Sequence, residues 1–152
     1  MKITNRFKIS LFGLLLISAC SSSSNLAEEH LKLLSSGKAG EAQSQYCALE
    51  DNLRLVTVNS YDLKSESEID RGTEYLYSVD SPEVDGEVVI QVVNSNDFFD
   101  VAVTSRSQLN DALESSAQLL GEQPETLPAP KREEYNQNEF CVFLPFEQFE
   151  EE

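Results

Sequence analysis

From residue 26 onward the hydrophobic pattern switches between two periods, and each switch marks a change of element. Ala27, Leu31 and Leu34 fall on one helical face with Leu33 beside it. Asn25-Leu-Ala-Glu28 reads as a capping box ahead of that face, and Gly37 supplies the stop. A second helix is expected from about Ala39 to Ala48, where Ala39, Ala42 and Tyr46 keep helical spacing and Cys47 adjoins them. The two make a helical hairpin with small residues on its second arm.

At Leu53 the period shifts to alternation. Leu53 to Leu63 is rich in β-branched residues and predicts a strand, followed by a polar loop from Lys64 to Gly72. Between Glu74 and Asp80, Tyr75, Tyr77 and Val79 alternate with neighbours that are polar apart from Leu76. The turn Ser81–Gly86 leads into the most apolar strand, Val88 to Val93, and the polar cluster Asn94 to Asp97 is expected to turn the chain into a further strand, Phe98 to Thr104. Such short connections favour an antiparallel meander.

Helical spacing returns from Ser107 to Leu120, with Leu109, Ala112, Leu113, Ser116 and Leu120 on one face and Gly121 closing it. Pro124, Pro128 and Pro130 make the segment from Glu122 to Asn138 extended and irregular. A last strand is expected from Glu139 to Pro145, then an acidic tail, 147–152. The fold expected is α+β: an N-terminal helical hairpin packed on one face of an antiparallel sheet of about five strands, with a further helix before the last strand.

The leader obeys a different rule. Lys2, Arg6 and Lys8 precede the apolar run Ile9–Ile17, a charged and then hydrophobic start of the kind that directs export, and nine residues are too few to span a bilayer, which takes roughly 20. The run ends in Ile17-Ser-Ala-Cys-Ser21, and here the chain resembles the bacterial lipoproteins, whose lipobox places an aliphatic and two small residues before an obligatory cysteine. The resemblance implies that Cys20 takes a diacylglycerol on its sulfur, that 1–19 is a signal peptide cut off before it, and that the new amino group is acylated. On that reading 20–25 is a lipidated tether, 26–146 a single domain, and the membrane is reached through lipid. Ser21 after the cysteine favours the outer membrane, facing the periplasm, over retention at the inner one.

Charge and cysteines sharpen this picture. Removing the leader takes away three of the 11 Lys and Arg and none of the 27 Asp and Glu, which leaves eight against 27, a formal charge of −19. So acidic a chain repels phosphate backbones and anionic headgroups, which excludes a nucleic-acid partner and a polybasic membrane dock. Once Cys20 carries lipid, Cys47 and Cys141 remain, and an oxidising compartment pairs two such thiols in a small domain.

Candidate chemistry is sparse. His30 is the one imidazole, with no nucleophile or orienting carboxylate at a telling spacing, and no Gly-x-Ser-x-Gly elbow, phosphate loop or dinucleotide fingerprint occurs. Two cysteines and a distant His30 do not make a zinc site, and the echo of a calcium loop at Ser81, Glu83, Asp85 and Gly86 fails at its twelfth position, Val92. Glu66, Glu68 and Asp70 read as a solvated loop, and Tyr75, Tyr77, Phe98 and Phe99 as pocket lining or sheet core. No cofactor is expected.

The opening Leu26-Ala-Glu-Glu-His-Leu-Lys-Leu-Leu-Ser-Ser-Gly37, with Glu41-Ala-Gln-Ser-Gln-Tyr-Cys47 after it, is similar to the nuclear-transport-factor-2-like (cystatin-like) domains of many lipoproteins. That resemblance implies a pocket between helices and sheet, which in some members is an active site and in many only a binding site. The helix at Ser107–Leu120 and the Pro-rich loop depart from the pattern. The functional expectation is a membrane-anchored, non-enzymatic binding or assembly module with an envelope-protein partner. The alternatives are an inhibitor of a basic hydrolase such as lysozyme, and a small enzyme with His30 as its base.

Overall fold

The computed structural model describes residues 23–49, 55–84 and 86–145. Its elements run α1 (Ser23–Ser35), α2 (Ala39–Gln43), β1 (Ser60–Ile69), β2 (Gly72–Asp80), β3 (Glu87–Asn94), α3 (Ser95–Leu120), a short 3-10 helix (Arg132–Glu134) and β4 (Phe140–Phe143). The strands form one antiparallel sheet in the order β1-β2-β3-β4, an α+β meander with a helix before the last strand. Four strands are present among the described residues, where about five were expected.

The main core lies between α1 and one face of that sheet. Ala27, Leu31 and Leu34 are buried as their spacing requires, against Tyr75, Ile90 and Val142. Gly37 ends the helix with a left-handed backbone, φ 72°, while the amide of Lys38 donates to the carbonyl of Leu33. Helix α1 starts at Ser23, two residues before the Asn25 cap read from sequence. Cys20, 21–22 and the acidic tail 147–152 lie outside the described residues, as does Asp85.

Alternation sends Val92 and Val142 toward α1, and Val93, Cys141 and Phe143 to the opposite face. The edge beyond β4 is closed by two short extended segments. The amide of Cys47 donates to the Val142 carbonyl and that of Val142 to the Gln45 carbonyl, so 45–47 runs parallel to β4; residue 136 then donates from its amide to the Cys47 carbonyl. Cys47 and Cys141, 94 positions apart, form the disulfide expected from sequence, at a Cα–Cα distance of 4.9 Å.

Three expectations need correction. The second helix stops at Gln43 rather than Ala48, because Gln45 to Cys47 spend their backbone groups on β4. The polar stretch Lys64–Ile69 is strand, not loop: as the sheet's outer edge β1 is exposed on most of its length, so the apolar alternation that reveals a strand is missing. Leu55 and Val58, read as strand, are buried ahead of β1 with no regular structure.

The largest correction concerns Phe98–Thr104, which is helix. Asn94 Oδ1 accepts from the amides of Asn96 and Asp97 at 3.0 and 3.3 Å, and one helix of 26 residues then runs to Gly121. Its first turns meet the sheet on the face opposite α1, since Phe98 packs on Phe143 at 5.4 Å between centroids. The helices therefore do not share one face.

Candidate functional site

The second face of the sheet is where the chain leaves an apolar surface open. Ile69 at the end of β1, Val93 of β3, Phe143 of β4, and Phe98 and Val101 of α3 surround a groove of about 700 Å³, with Asp70, Arg71 and Gln91 completing its wall. The two-residue turn Asp70-Arg71 brings β1 and β2 over the start of α3, and this needs glycine next to it. A Cβ on Gly72 would run into the Val92 carbonyl, so no other residue lets β2 approach β3 that closely.

Beside the groove, and sharing Asp70, Arg71 and Val101 with it, lies a shallower polar hollow of about 450 Å³ that adds Asp97, Asp100 and Thr104. Three carboxylates thus rim the apolar floor against one guanidinium. Along α3 the floor continues as a stripe, Phe98, Ser105, Leu109, Ala112, Ser116 and Leu119, on one helical face. Leu109 is 47 % exposed and Leu119 89 %, so the distal stripe is uncovered.

A neighbouring flank of α3 is held by the Pro-rich segment. Asn110 Nδ2 donates to the Leu127 carbonyl at 3.0 Å, its Oδ1 accepts from the Leu127 amide at 2.8 Å, and Arg106 Nη1 donates to the Pro128 carbonyl. Farther along, the Arg132 guanidinium lies 5.2 Å from the Phe99 ring centroid, donates to Asn96 Oδ1 and to the Asn136 carbonyl, and so anchors the return of the chain to the start of α3. The segment is extended as its prolines predict, and it is pinned.

A third, smaller cavity of about 290 Å³ opens on the α1 side between Glu28, Tyr61, Asp62, Leu63, Tyr75 and Tyr77. Tyr61 and Tyr77 meet at 79° with centroids 6.1 Å apart. Burial, then the Glu28 carboxylate, push the Tyr77 phenol up to about 12, and burial and Glu28 raise Tyr61 as well. Tyr75 and Tyr77 thus belong to the α1 face, and Phe98 to the other; the four aromatics singled out in the sequence do not share a pocket.

His30 lines none of these three cavities. It is fully buried, with Nδ1 3.0 Å from Gln45 Oε1 and Nε2 3.2 Å from Tyr46 Oη, an arrangement that suits a neutral ring donating from Nδ1 and accepting at Nε2. Burial pushes its pKa down to about 4, against the opposing hydrogen bond to Gln45. This is a core histidine that ties α1 to the 45–47 segment.

Among the described residues no group of three or more His, Cys, Asp or Glu is placed to hold a metal ion, and no helix is long and apolar enough to cross a membrane. Cys47 and Cys141 are spent on each other. Comparison with protein-family models, curated proteins and solved structures finds no match to this chain. The β-branched and aromatic residues of Phe98–Thr104 read as a strand and so hide the α3 side of the groove; the signal that locates it is Asn94-Ser-Asn-Asp97, a cap with an acidic third residue, ahead of Phe98, Val101 and Ala102 at helical spacing.

Proposed function

We propose that this chain is an envelope lipoprotein, anchored through acyl chains on Cys20, that acts as a non-enzymatic binding or assembly module, with the groove between the second sheet face and α3 as its docking surface. The observation that carries the reading is an apolar floor left open beneath a carboxylate rim, Asp70, Asp97 and Asp100. Monomeric proteins rarely leave a continuous apolar surface uncovered without a use for it. The occupant that fits is a segment of an envelope protein with an apolar face and basic flanks, matched both to the rim and to a mature charge of −19.

A finer kinship with the nuclear-transport-factor-2-like domains is supported by α1 lying across an antiparallel meander, while the placing of α3 between β3 and β4 departs from it. Inhibition of a basic hydrolase such as lysozyme draws on the same carboxylate rim. It differs in requiring that the partner be an enzyme whose activity falls on binding.

The test is photo-cross-linking in intact envelopes from the full chain, with the reactive group at Val101 in the groove or Leu109 on the α3 stripe that continues it, or at Lys64 on the β1 edge. The groove positions should give a discrete adduct that the edge does not, and its yield should fall when Asp70, Asp97 and Asp100 become Asn. Equal labelling from all three positions, or none from the groove, contradicts the proposal.

A further inference from the structure

The small cavity on the α1 side has chemistry that the groove does not use. We propose that it binds a primary alkylammonium group, paired with the Glu28 carboxylate, hydrogen-bonded to the Tyr77 hydroxyl and held against the Tyr61 ring. The site lies on the opposite face of the sheet from the groove and does not depend on what the groove binds.

Its electrostatics have one sign. Glu28 and Asp62 are the charged residues of the lining. Lys32, one turn beyond Glu28, and Lys64, beside Leu63, make no ion pair with either carboxylate among the described residues, where the ion pairs are Lys38–Glu41 and Lys131–Glu134. Both phenols are kept neutral by burial and by Glu28, so each offers a hydroxyl and a ring, not a second anion.

Tyr77 gives the independent reason to expect a ligand. The residue is only 4 % exposed and lines the cavity, and no hydrogen bond joins its hydroxyl to another described residue; the enclosed side-chain atom without a partner is Ser95 Oγ, so the Tyr77 hydroxyl is open to the cavity. Buried tyrosine hydroxyls ordinarily find partners. An ammonium N–H supplies one, which a quaternary nitrogen does not.

Shape and size set the rest. Two rings at 79° form a corner, with Tyr75 tilted 37° to Tyr77 behind it, and a cation in that corner meets a ring face as well as the carboxylate. About 290 Å³ is at the lower limit of pockets for drug-sized molecules, so the ligand is of headgroup size. A free amine and the ethanolamine headgroup of a phospholipid share this chemistry.

The experiment titrates the full chain, in a non-ionic detergent, with ethanolamine and with its uncharged counterpart ethylene glycol. The sequence has five tyrosines and no tryptophan, so tyrosine fluorescence reads the site, together with amide NMR shifts at Tyr61, Asp62 and Leu63. Ethanolamine should bind saturably and ethylene glycol at least tenfold more weakly. Glu28→Gln, Tyr61→Leu and Tyr77→Phe should each weaken ethanolamine about tenfold, and Tyr77→Phe should do so without lowering the unfolding midpoint, since no hydrogen bond within the protein is lost.

Competition by detergent micelles doped with phosphatidylethanolamine, but not by micelles doped with phosphatidylglycerol alone, assigns the site to the headgroup; no competition by either assigns it to the free amine. Equal binding of ethylene glycol, no saturable shift, or full ethanolamine affinity in Glu28→Gln overturns the proposal. A groove adduct obtained as above remains valid in each of those cases.

Discussion

The side-chain amide of Asn136 donates to the backbone carbonyl of Tyr46 at 3.2 Å and to that of Ser44 at 2.9 Å, joining segments about 90 residues apart. Its Oδ1 accepts from the amide of Asn138, so a buried amide in an irregular segment has all its principal groups in use. Asn136→Ala leaves carbonyls of residues 44 and 46 without their donor and should cost about 2 to 4 kcal/mol. Asn136→Asp, which sets a carboxylate against those carbonyls, should cost more. Urea unfolding midpoints measure both, and a midpoint unchanged by Asn136→Asp would contradict this role.

The disulfide acts at the same place as Asn136, on the adjoining face of the sheet. With Cys47 and Cys141 94 positions apart, closing the loop restricts the unfolded chain by roughly 4 to 5 kcal/mol before any strain is subtracted. Full reduction should therefore lower the urea midpoint strongly, and a Cys47→Ala, Cys141→Ala double variant should match the reduced protein. Coincident unfolding curves with and without reductant would show that the bond is not holding this edge.

His30 makes stability depend on pH in a definite direction. Its folded pKa of about 4 lies below the ordinary 6.5, so between those values the unfolded chain binds the extra proton. The contribution is complete above pH 6.5 and is lost as pH falls toward 4, by about 3 kcal/mol in total. His30→Gln should start less stable at pH 7.5, through lost packing and hydrogen bonding, but lose less on acidification. Parallel pH profiles for the two proteins would mean that the imidazole is not the group being protonated.

Asn110 should matter locally and little elsewhere. It bonds both the amide and the carbonyl of Leu127 from a half-buried helical position. Asn110→Ala should release the Pro-rich segment, raising amide exchange at Leu127 and protease cutting within 122–131, while the global unfolding midpoint shifts by less than about 1 kcal/mol. Unchanged exchange at Leu127 would contradict the pinning.

What could be read in the sequence was what a single buried face imprints on it. Ala27, Leu31 and Leu34, and then Tyr75, Tyr77 and Val79, repeat at the period of their elements because each packs against the main core, and all six are buried. The disulfide followed from counting cysteines. Elements that bury little carried no such imprint: β1 is an exposed edge, and α3 leaves much of its length in solvent, so the β-branched and aromatic residues in Phe98–Thr104 outweighed the Asn94 cap. Helical spacing runs past the true end of α2 because a partner 95 residues beyond Cys47, Val142, takes up the backbone after Gln43, and no local pattern records that. The groove was invisible for the same reason, being built from β1, β3, β4 and α3 at once.

The compartment and an envelope partner both rest on the proposed lipid at Cys20, and intact mass of the protein recovered from its own membranes tests it most directly. The account predicts a chain that lacks 1–19, carries the added mass of a diacylglyceryl group and acyl chain at residue 20, and loses both the processing and the membrane association in Cys20→Ser. A full-length, unmodified mass, or a Cys20→Ser protein that still fractionates with membranes at the mass of the parent, would contradict it.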